Sequence, residues 1–467
     1  MTQINQLRGS SPSSLGSLIH FQGESGYEEA RVGRVFNGRR PQRFPVAVLF
    51  ARSAQDVVEG VKFARSIGVT VSVRSGGHSW AVWSVREDAL LIDLGNLREM
   101  SVDTETKIIS VSPSITGGEL NPYLKQFGLF FAGGHCPTVG LGGFLLQGGQ
   151  GWNARGWGWS CEQIVAIDVV TADGQLLRAD AHQNTELFWS ARGAGPGFFG
   201  IVVRFELRAR PLTRALTRST YVYSMEDYDH VMPWLYDMHG HVDSSVEIVA
   251  LGIAVPVSGR EEVHSLVVHL LSFADTPEEA LVALKPFESC PVLDRALVHE
   301  AFKPTSIEEM CEDQIRANPA GARYVVDALW TGAPPDKAVP ALKPAFTGLP
   351  TKKTFMLWYS MAPLRPLPDM AFSHQCDVYV AIYCVWEEPD EDDRVQNWLK
   401  AQMKALEPIS DGLYIGDSDF GVRSAKFIHE DHWKRLCEYR ERFDPEHLFE
   451  SYLVTEGALL NQNALQV

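Results

Sequence analysis

The sequence predicts an α+β protein organised as two domains. Its 467 residues exceed what one hydrophobic core normally holds, so we expect the chain to divide. Runs of β-branched residues alternate with amphipathic helical patterns, which predicts strands interspersed with helices. Glycine-rich loops of the phosphate-binding type occur before Arg210-Pro211 and not in residues 212–405. We therefore place one domain over residues 1–210 and a second over 211–405.

The first domain begins with a predicted strand, helix and strand between residues 46 and 73. Ser53 and Asp56 supply the hydroxyl and the carboxylate that favour a helix N-terminus, and apolar residues then recur on one helical face. The second strand leads into the sequence RSGGHSW, Arg74 to Trp80. Two consecutive glycines in that turn allow the main chain to wrap closely around a phosphate, and His78 follows them.

A second glycine-rich stretch, residues 133–159, carries a thiol on an irregular segment. Before this stretch, residues 89–124 predict two strands and the start of a helix. After it, residues 164–180 predict a hairpin whose strands are joined by Ala-Asp-Gly. Pro137 after Cys136 excludes a regular helix or a central strand. Because imidazole and thiolate are good nucleophiles near neutral pH, the two turns together indicate a cofactor with a diphosphate and an electrophilic ring.

Charge and composition narrow the class of partner. The net charge of −16 and the isoelectric point near 5.4 argue against nucleic acid or an anionic membrane. No apolar run approaches the roughly 18 residues that span a bilayer, and no signal peptide is visible, so we expect a cytoplasmic protein. Seven cysteines without a CxxC spacing give no support for a metal site or a redox dithiol. We expect a small-molecule enzyme that is a monomer or a homodimer.

The motifs RSGGHS and CPTVGLGGF resemble the FAD-binding domain of berberine-bridge-enzyme-like oxidases in the vanillyl-alcohol-oxidase superfamily. The resemblance implies a PCMH-type FAD-binding fold, with His78 bonded to the 8α-methyl of the flavin and Cys136 to its C6. It also implies that residues 406–467 return to the FAD domain, and that residues 211–405 form an antiparallel sheet covered by helices on one face. The other flavin-contacting residues that it implies are Arg74, Ser75, Gly76, Gly77, Ser79, Val139, Gly142, Gly143, Gly148, Gly149, Ile201 and Tyr414.

The catalytic base of this family is harder to place, because the family's AFxHR-like sequence ends here in Gln375 and its YxNY-like sequence is also altered. The strand before Ala371 offers Tyr359 but no carboxylate until Asp369. The family's C-terminal YxNY sequence is represented by Tyr414, while its last tyrosine is replaced by Asp417. Tyr414, Tyr359 and Asp417 are the candidates in that order. A phenol has an ordinary pKa near 10, so a tyrosine base would need help from its surroundings.

The resemblance implies an oxidase with bicovalent FAD that oxidises a CH–OH group of a carbohydrate or an aromatic alcohol and reduces O2 to H2O2. Val139 falls where family members gate oxygen, and its small side chain favours an oxidase. A dehydrogenase, an amine oxidase and a flavin-binding protein without turnover remain alternatives. No GxGxxG sequence with a downstream acidic residue supports a nicotinamide enzyme.

Several further residues have two interpretations each. His135 could polarise the Cys136 thiol or contact substrate, or could be only a neighbour of the site. Tryptophans 152, 157 and 159 could form a stacking platform, or could fill gaps that the glycines leave in the core. His374 and the histidines at 239 and 241 have no metal-ligand spacing, and we interpret them as structural.

Overall fold

A computed structural model describes residues 8–257 and 262–453 of the chain. The α-helices are α1 (Tyr27–Val32), α2 (Ala54–Ile67), α3 (Gly117–Lys125), α4 (Leu141–Leu146), α5 (Ala154–Trp157), α6 (Thr185–Ala191), α7 (Tyr228–Met238), α8 (Pro277–Leu284), α9 (Ile307–Ala317), α10 (Pro335–Thr347), α11 (Asp392–Leu406) and α12 (Glu430–Phe443). The strands of the first half are β1 (Ile19–Phe21), β2 (Ala47–Phe50), β3 (Val71–Arg74), β4 (Leu90–Asp93), β5 (Met100–Asp103), β6 (Ile108–Val111), β7 (Leu129–Phe130), β8 (Ile164–Val170), β9 (Leu176–Asp180), β10 (Ile201–Arg208) and β11 (Arg210–Pro211). The later strands are β12 (Ala215–Ser224), β13 (Val246–Val255), β14 (Val263–Ala274), β15 (Val298–Pro304), β16 (Arg323–Thr331), β17 (Phe355–Ser360) and β18 (Val378–Trp386). The predicted α+β class is confirmed.

The N-terminal sheet delivers the first glycine-rich turn to the site. Its strands lie in the order β1-β2-β4-β3, and β3 pairs in parallel with β4. Helix α2 between β2 and β3 begins at Ser53, whose hydroxyl accepts from the Asp56 amide while the Asp56 carboxylate accepts from the Ser53 amide. The predicted capped helix is therefore confirmed. Its buried face, which includes Val57 and Val61, packs on this sheet and fixes the end of β3 where the turn starts.

A second, antiparallel sheet of the first half has the strand order β5-β6-β10-β8-β9. The β8–β9 pair is the predicted hairpin, with its turn at Asp173-Gly174. The prediction of two strands between residues 89 and 111 is wrong, because three are present. β4 joins the parallel sheet, whereas β5 and β6 form a hairpin whose turn is held by the Asp103 carboxylate accepting from the amides of Glu105 and Thr106.

The second half of the chain builds one seven-stranded antiparallel sheet in the order β15-β12-β14-β13-β17-β18-β16. Side chains alternate between its faces, so Ala250 and Val268 join the core with α7, α10 and α11, while Val249 and His269 line a cleft on the other face. The prediction that helices cover one face holds for those three helices. It is wrong for α9, because Met310 and Asp313 of that helix line the cleft.

The C-terminal segment runs back to the N-terminal sheet. The Val71 amide donates to Leu448 O and the Glu450 amide donates to Val71 O, so residues 448–450 lie beside β3. Helix α12 packs near α6 through Trp189 and Tyr439. The predicted domain boundaries near residues 210 and 405 stay predictions. Within residues 8–257 and 262–453, the structure has no helix with the length and apolarity that a membrane span requires.

Candidate active site

A cleft of about 690 Å³ separates the glycine-rich turns of the first half from the open face of the seven-stranded sheet. Such a volume suits a small-molecule ligand.

The buried side chain of Arg155, in α5, connects the two walls of the cleft by hydrogen bonds. Its guanidinium donates to five backbone carbonyl groups of the second half, those of His239, Val242, Asp243, Val246 and Ala362. This contact holds the N-terminal end of β13 against the second glycine-rich segment.

The first glycine-rich turn fits a diphosphate group. Gly77 has φ +75°, and a Cβ there would lie 1.9 Å from Arg34 O. A Cβ on Gly76 would lie 2.6 Å from the Gly140 nitrogen, so the two glycine-rich segments touch through their backbones. Residues Gly76 to Ser79 line the cleft, and their amides donate to no other residue in the described part of the chain. Successive free amides of this kind bind anionic oxygens.

The two predicted attachment residues converge in the cleft. Cys136 Sγ lies 3.9 Å from His78 Nε2, although the two residues come from different turns. The Thr138 hydroxyl lies 2.8 Å from His78 Nε2 and 3.3 Å from Cys136 Sγ. Phe36 stacks on the His78 ring at 3.9 Å and fixes its plane.

Burial sets the protonation of both groups. It lowers the pKa of His78 to about 4, so the imidazole is neutral at physiological pH. Burial also raises the pKa of the Cys136 thiol, although the hydrogen bonds from Thr138 oppose that rise. The site therefore presents a neutral imidazole and a protonated thiol side by side.

A buried carboxylate lies across the cleft from these nucleophiles. Glu247 of β13 is 3.1 Å from His135 Nε2, accepts from the Tyr359 hydroxyl at 3.0 Å, and accepts from the Asn153 amide at 2.6 Å. Burial alone would raise the pKa of Glu247, but His135 and the two other hydrogen bonds outweigh it and lower that pKa. Burial and the nearby Glu247 carboxylate raise the pKa of Tyr359 well above its ordinary value. The carboxylate is thus ionised and the phenol neutral.

The C-terminal candidates form a second polar network in the same cleft. Asp417 accepts from Trp80 Nε1 at 2.9 Å and from the Tyr379 hydroxyl at 2.8 Å. The Tyr414 hydroxyl oxygen accepts from the amides of Gly149 and Gln150 at 3.2 Å. Burial and Asp417 nevertheless raise the pKa of Tyr414, so this phenol is neutral at physiological pH. Tyr414 stays a candidate base, and in that role it would need a further group that stabilises its ionised form.

Most of the predicted flavin-contacting residues lie at the cleft, and three require correction. Those that line it without qualification are Ser75, Gly76, Gly77, Ser79, Val139, Gly142, Gly143, Ile201 and Tyr414. Arg74 reaches the cleft wall, but its guanidinium is buried, pairs with Asp93 and donates to the carbonyl groups of Ala30 and Arg31, so it is directed into the core and not into the cleft. Gly148 and Gly149 lie behind the wall, where a Cβ would meet Phe372 at 2.7 Å or Phe144 at 2.9 Å.

The alternatives left open for the other aromatic residues can now be separated. His135 and Trp152 both line the cleft, with ring centroids 4.4 Å apart. Trp159 is fully buried and donates to Gln375 Oε1, and Trp157 packs beneath Arg210, so neither belongs to a stacking platform. In the part of the chain that the structure describes, no group of histidine, cysteine and carboxylate side chains could hold a metal ion.

Sequence reasoning missed Glu247, Thr138, Trp80 and Tyr379. Glu247 had a detectable signal, because it is the one charged residue in the apolar run Val246–Val255. β17 itself carries no carboxylate, and the neighbouring strand β13 supplies one. β13 pairs with β17 so that Val249 lies opposite Tyr359, which brings Glu247 near the Tyr359 hydroxyl. That pairing cannot be read from either strand alone.

Comparisons with known proteins agree with this geometry. A family model described as an FAD binding domain matches residues 45–180. The FAD-linked oxidoreductase nodO of Hypoxylon pulicicidum is 37% identical over 90% of this chain and 93% of its own length. The berberine-bridge-enzyme-like protein 1 of Physcomitrella patens shares the fold at a TM-score of 0.80 and 19% identity, over 97% of this chain and 99% of that one. A xylooligosaccharide oxidase from Myceliophthora thermophila also has a TM-score of 0.80, at 20% identity and over 97% and 98% of the two chains.

Proposed function

Because the chain belongs to the FAD-linked oxidoreductases and has the fold of a berberine-bridge-enzyme-like protein, we propose that it is a member of the vanillyl-alcohol-oxidase superfamily that oxidises apolar or aromatic alcohols with FAD attached at His78 and Cys136. The observation that carries the proposal is the meeting of three features in one cleft. These are a turn with free amides, a paired imidazole and thiol, and a histidine held by an ionised carboxylate.

The residues present fit FAD. The amides from Gly76 to Ser79 would hold its diphosphate, and His78 and Cys136 would hold its ring at two points. When bound, FAD supplies the hydride acceptor of the reaction, and O2 is the final oxidant that we propose. The task of the protein is then to orient the substrate, exclude water and accept one proton.

His135 is the proton acceptor that the geometry favours. Its Nε2–H donates to the Glu247 carboxylate, while Nδ1 has no hydrogen-bond partner among the described residues. A proton taken from a substrate hydroxyl onto Nδ1 would create an imidazolium that the carboxylate stabilises, as in other carboxylate–histidine pairs. Tyr359 donates to the same carboxylate and holds it in place. Tyr359 therefore acts on His135 only through Glu247. Asp417 belongs to a separate hydrogen-bond network with Trp80 and Tyr379.

The substrate side of the cleft favours an apolar molecule over a carbohydrate. Its central surface is formed by aliphatic side chains on three adjacent strands, namely Val249, Leu251, Val267 and Leu357. A sugar hydroxyl that lies on this aliphatic surface and reaches none of the polar side chains of the cleft, such as Arg218, Asp313 and Gln314, would be buried at a cost of about 1–3 kcal/mol. An aromatic or aliphatic ring system loses no hydrogen bonds on the same surface.

A two-part redox measurement tests the proposed function. The protein is mixed anaerobically with a panel of aromatic alcohols, aliphatic alcohols, carbohydrates and amines. We expect an apolar alcohol to bleach the yellow protein and air to restore the colour.

Val139 lines the cleft three residues after Cys136, so Val139→Leu should slow the return of colour in air and leave the anaerobic bleaching rate unchanged. Equal slowing of both steps would contradict the role of Val139. A protein that no donor bleaches would contradict the oxidase.

A further inference from the structure

The Thr138 side chain contacts both attachment residues. Its hydroxyl lies 2.8 Å from His78 Nε2 and 3.3 Å from Cys136 Sγ, while the direct distance between those two atoms is 3.9 Å. We propose that Thr138 relays the thiol proton of Cys136 to His78 Nε2 while the cysteine–flavin bond forms. This proposal rests on the proposed attachment of FAD at Cys136.

The backbone holds the Thr138 hydroxyl in this bridging place. The Val139 amide donates to Cys136 O at 3.2 Å, which closes a turn around Pro137 and Thr138. The Gly118 amide donates to Pro137 O at 2.9 Å and ties that turn to the start of α3. Because both sides of Thr138 are bonded, its hydroxyl faces the thiol and the imidazole without reorganisation of the chain.

The thiol needs such a relay because burial disfavours its ionised form. The hydrogen bonds that oppose this effect at Cys136 come from Thr138, and no cationic side chain contributes to them. A hydroxyl can accept from S–H and donate to a ring nitrogen at the same moment. His78 Nε2 retains its lone pair whether Nδ1 carries a proton or a carbon substituent. It can therefore accept the relayed proton before or after the histidine is attached, but only as a transient carrier that passes the proton on to solvent, because burial lowers the pKa of His78 to about 4.

The atoms and electrons of this step balance with O2 as the oxidant. The Cys136 S–H bond and the flavin C6–H bond break, and one Sγ–C6 bond forms. The thiol proton passes through Thr138 Oγ1 to His78 Nε2 and then to solvent, and the C6 proton is released to solvent. The two electrons left on the flavin pass to O2, which takes up two protons and becomes H2O2. The thioether and H2O2 are the net products.

A time course of attachment in the full-length chain tests the relay. Flavin-free protein is mixed with FAD in air and quenched in acid, free thiols are alkylated under denaturing conditions, and peptide mapping measures the flavin-linked fractions of Cys136 and His78. Thr138→Val replaces the hydroxyl with a methyl group of similar size, and Thr138→Ser keeps the hydroxyl. We expect Thr138→Val to slow linkage at Cys136 at least about tenfold, because general acid–base groups contribute 10²- to 10⁴-fold. Linkage at His78 and the rate in Thr138→Ser should match wild type.

The other outcomes distinguish a failure of the Thr138 relay from a failure of the proposed FAD attachment at Cys136. Linkage at Cys136 that is equally fast in Thr138→Val would overturn the relay alone. Equal slowing at Cys136 and His78, together with weaker FAD binding, would assign Thr138 a purely structural role and would also overturn the relay. A wild-type protein in which Cys136 stays fully alkylatable would overturn the attachment at that residue and the relay with it.

Discussion

Glu247→Gln is expected to lower the rate of anaerobic flavin reduction by about 10²- to 10⁴-fold, the usual contribution of a general base. Glutamine keeps the size of the side chain but cannot stabilise the imidazolium that forms when His135 accepts a proton. The measurement is stopped-flow bleaching with a donor that reduces the wild-type protein. Wild-type flavin content in the variant would show that the cleft itself is intact.

Tyr359→Phe is the matched control, because it removes one hydrogen bond to the same carboxylate and leaves the His135 contact in place. We expect a smaller loss from it than from Glu247→Gln. Because the pKa of Glu247 lies below its ordinary value, this carboxylate becomes protonated only at a lower pH than an ordinary glutamate does. The wild-type rate should therefore show no loss from this group at any pH at which an ordinary glutamate is ionised. Equal rates in Glu247→Gln and wild type would remove His135 as the base.

Arg74→Met is expected to lower the free energy of unfolding by about 3–5 kcal/mol, because it leaves the buried Asp93 charge without its buried partner. The guanidinium also donates to two carbonyl groups of α1, which would lose those hydrogen bonds. Chemical denaturation of the protein, followed through its first unfolding transition, measures the change.

Two comparisons distinguish this structural role of Arg74 from cofactor binding. Arg34 also pairs with Asp93, but about a third of its side chain is exposed, so Arg34→Met should destabilise the protein less. The double variant Arg74→Met/Asp93→Leu should recover part of the stability, because no buried charge remains and Arg34, which also loses Asp93, is partly exposed to water. If Arg74→Met unfolds at the wild-type denaturant concentration but loses FAD affinity, the arginine is a cofactor ligand after all.

Local features of the fold could be predicted from the sequence, because they depend on residues near each other in the chain. The capping pair Ser53 and Asp56 marked the start of α2, and the glycines of RSGGHS marked the turn after β3. The pairing of His78 with Cys136 was implied by the family resemblance, and the structure brings their side chains to 3.9 Å.

Contacts between distant elements could not be predicted in the same way. Glu247 meets His135 only because β13 lies against the second glycine-rich segment, more than 100 residues away in sequence. Arg74 sits in the phosphate-binding motif, yet Asp93 on the neighbouring strand β4 draws its side chain into the core. Gly148 has φ +103°, and a Cβ there would lie 2.7 Å from the ring of Phe372, a residue of the second half. Each of these outcomes depends on strand register and packing.

The most direct test of the central claim is acid precipitation of the purified yellow protein, with His78→Ala, Cys136→Ala and the double variant alongside. The structure places both nucleophiles in one cleft, so wild-type flavin should stay in the protein pellet and survive in the intact mass. Each single variant should keep flavin through the remaining residue, and the double variant should release all of it. Complete release of flavin from the wild-type pellet would contradict covalent attachment at both residues.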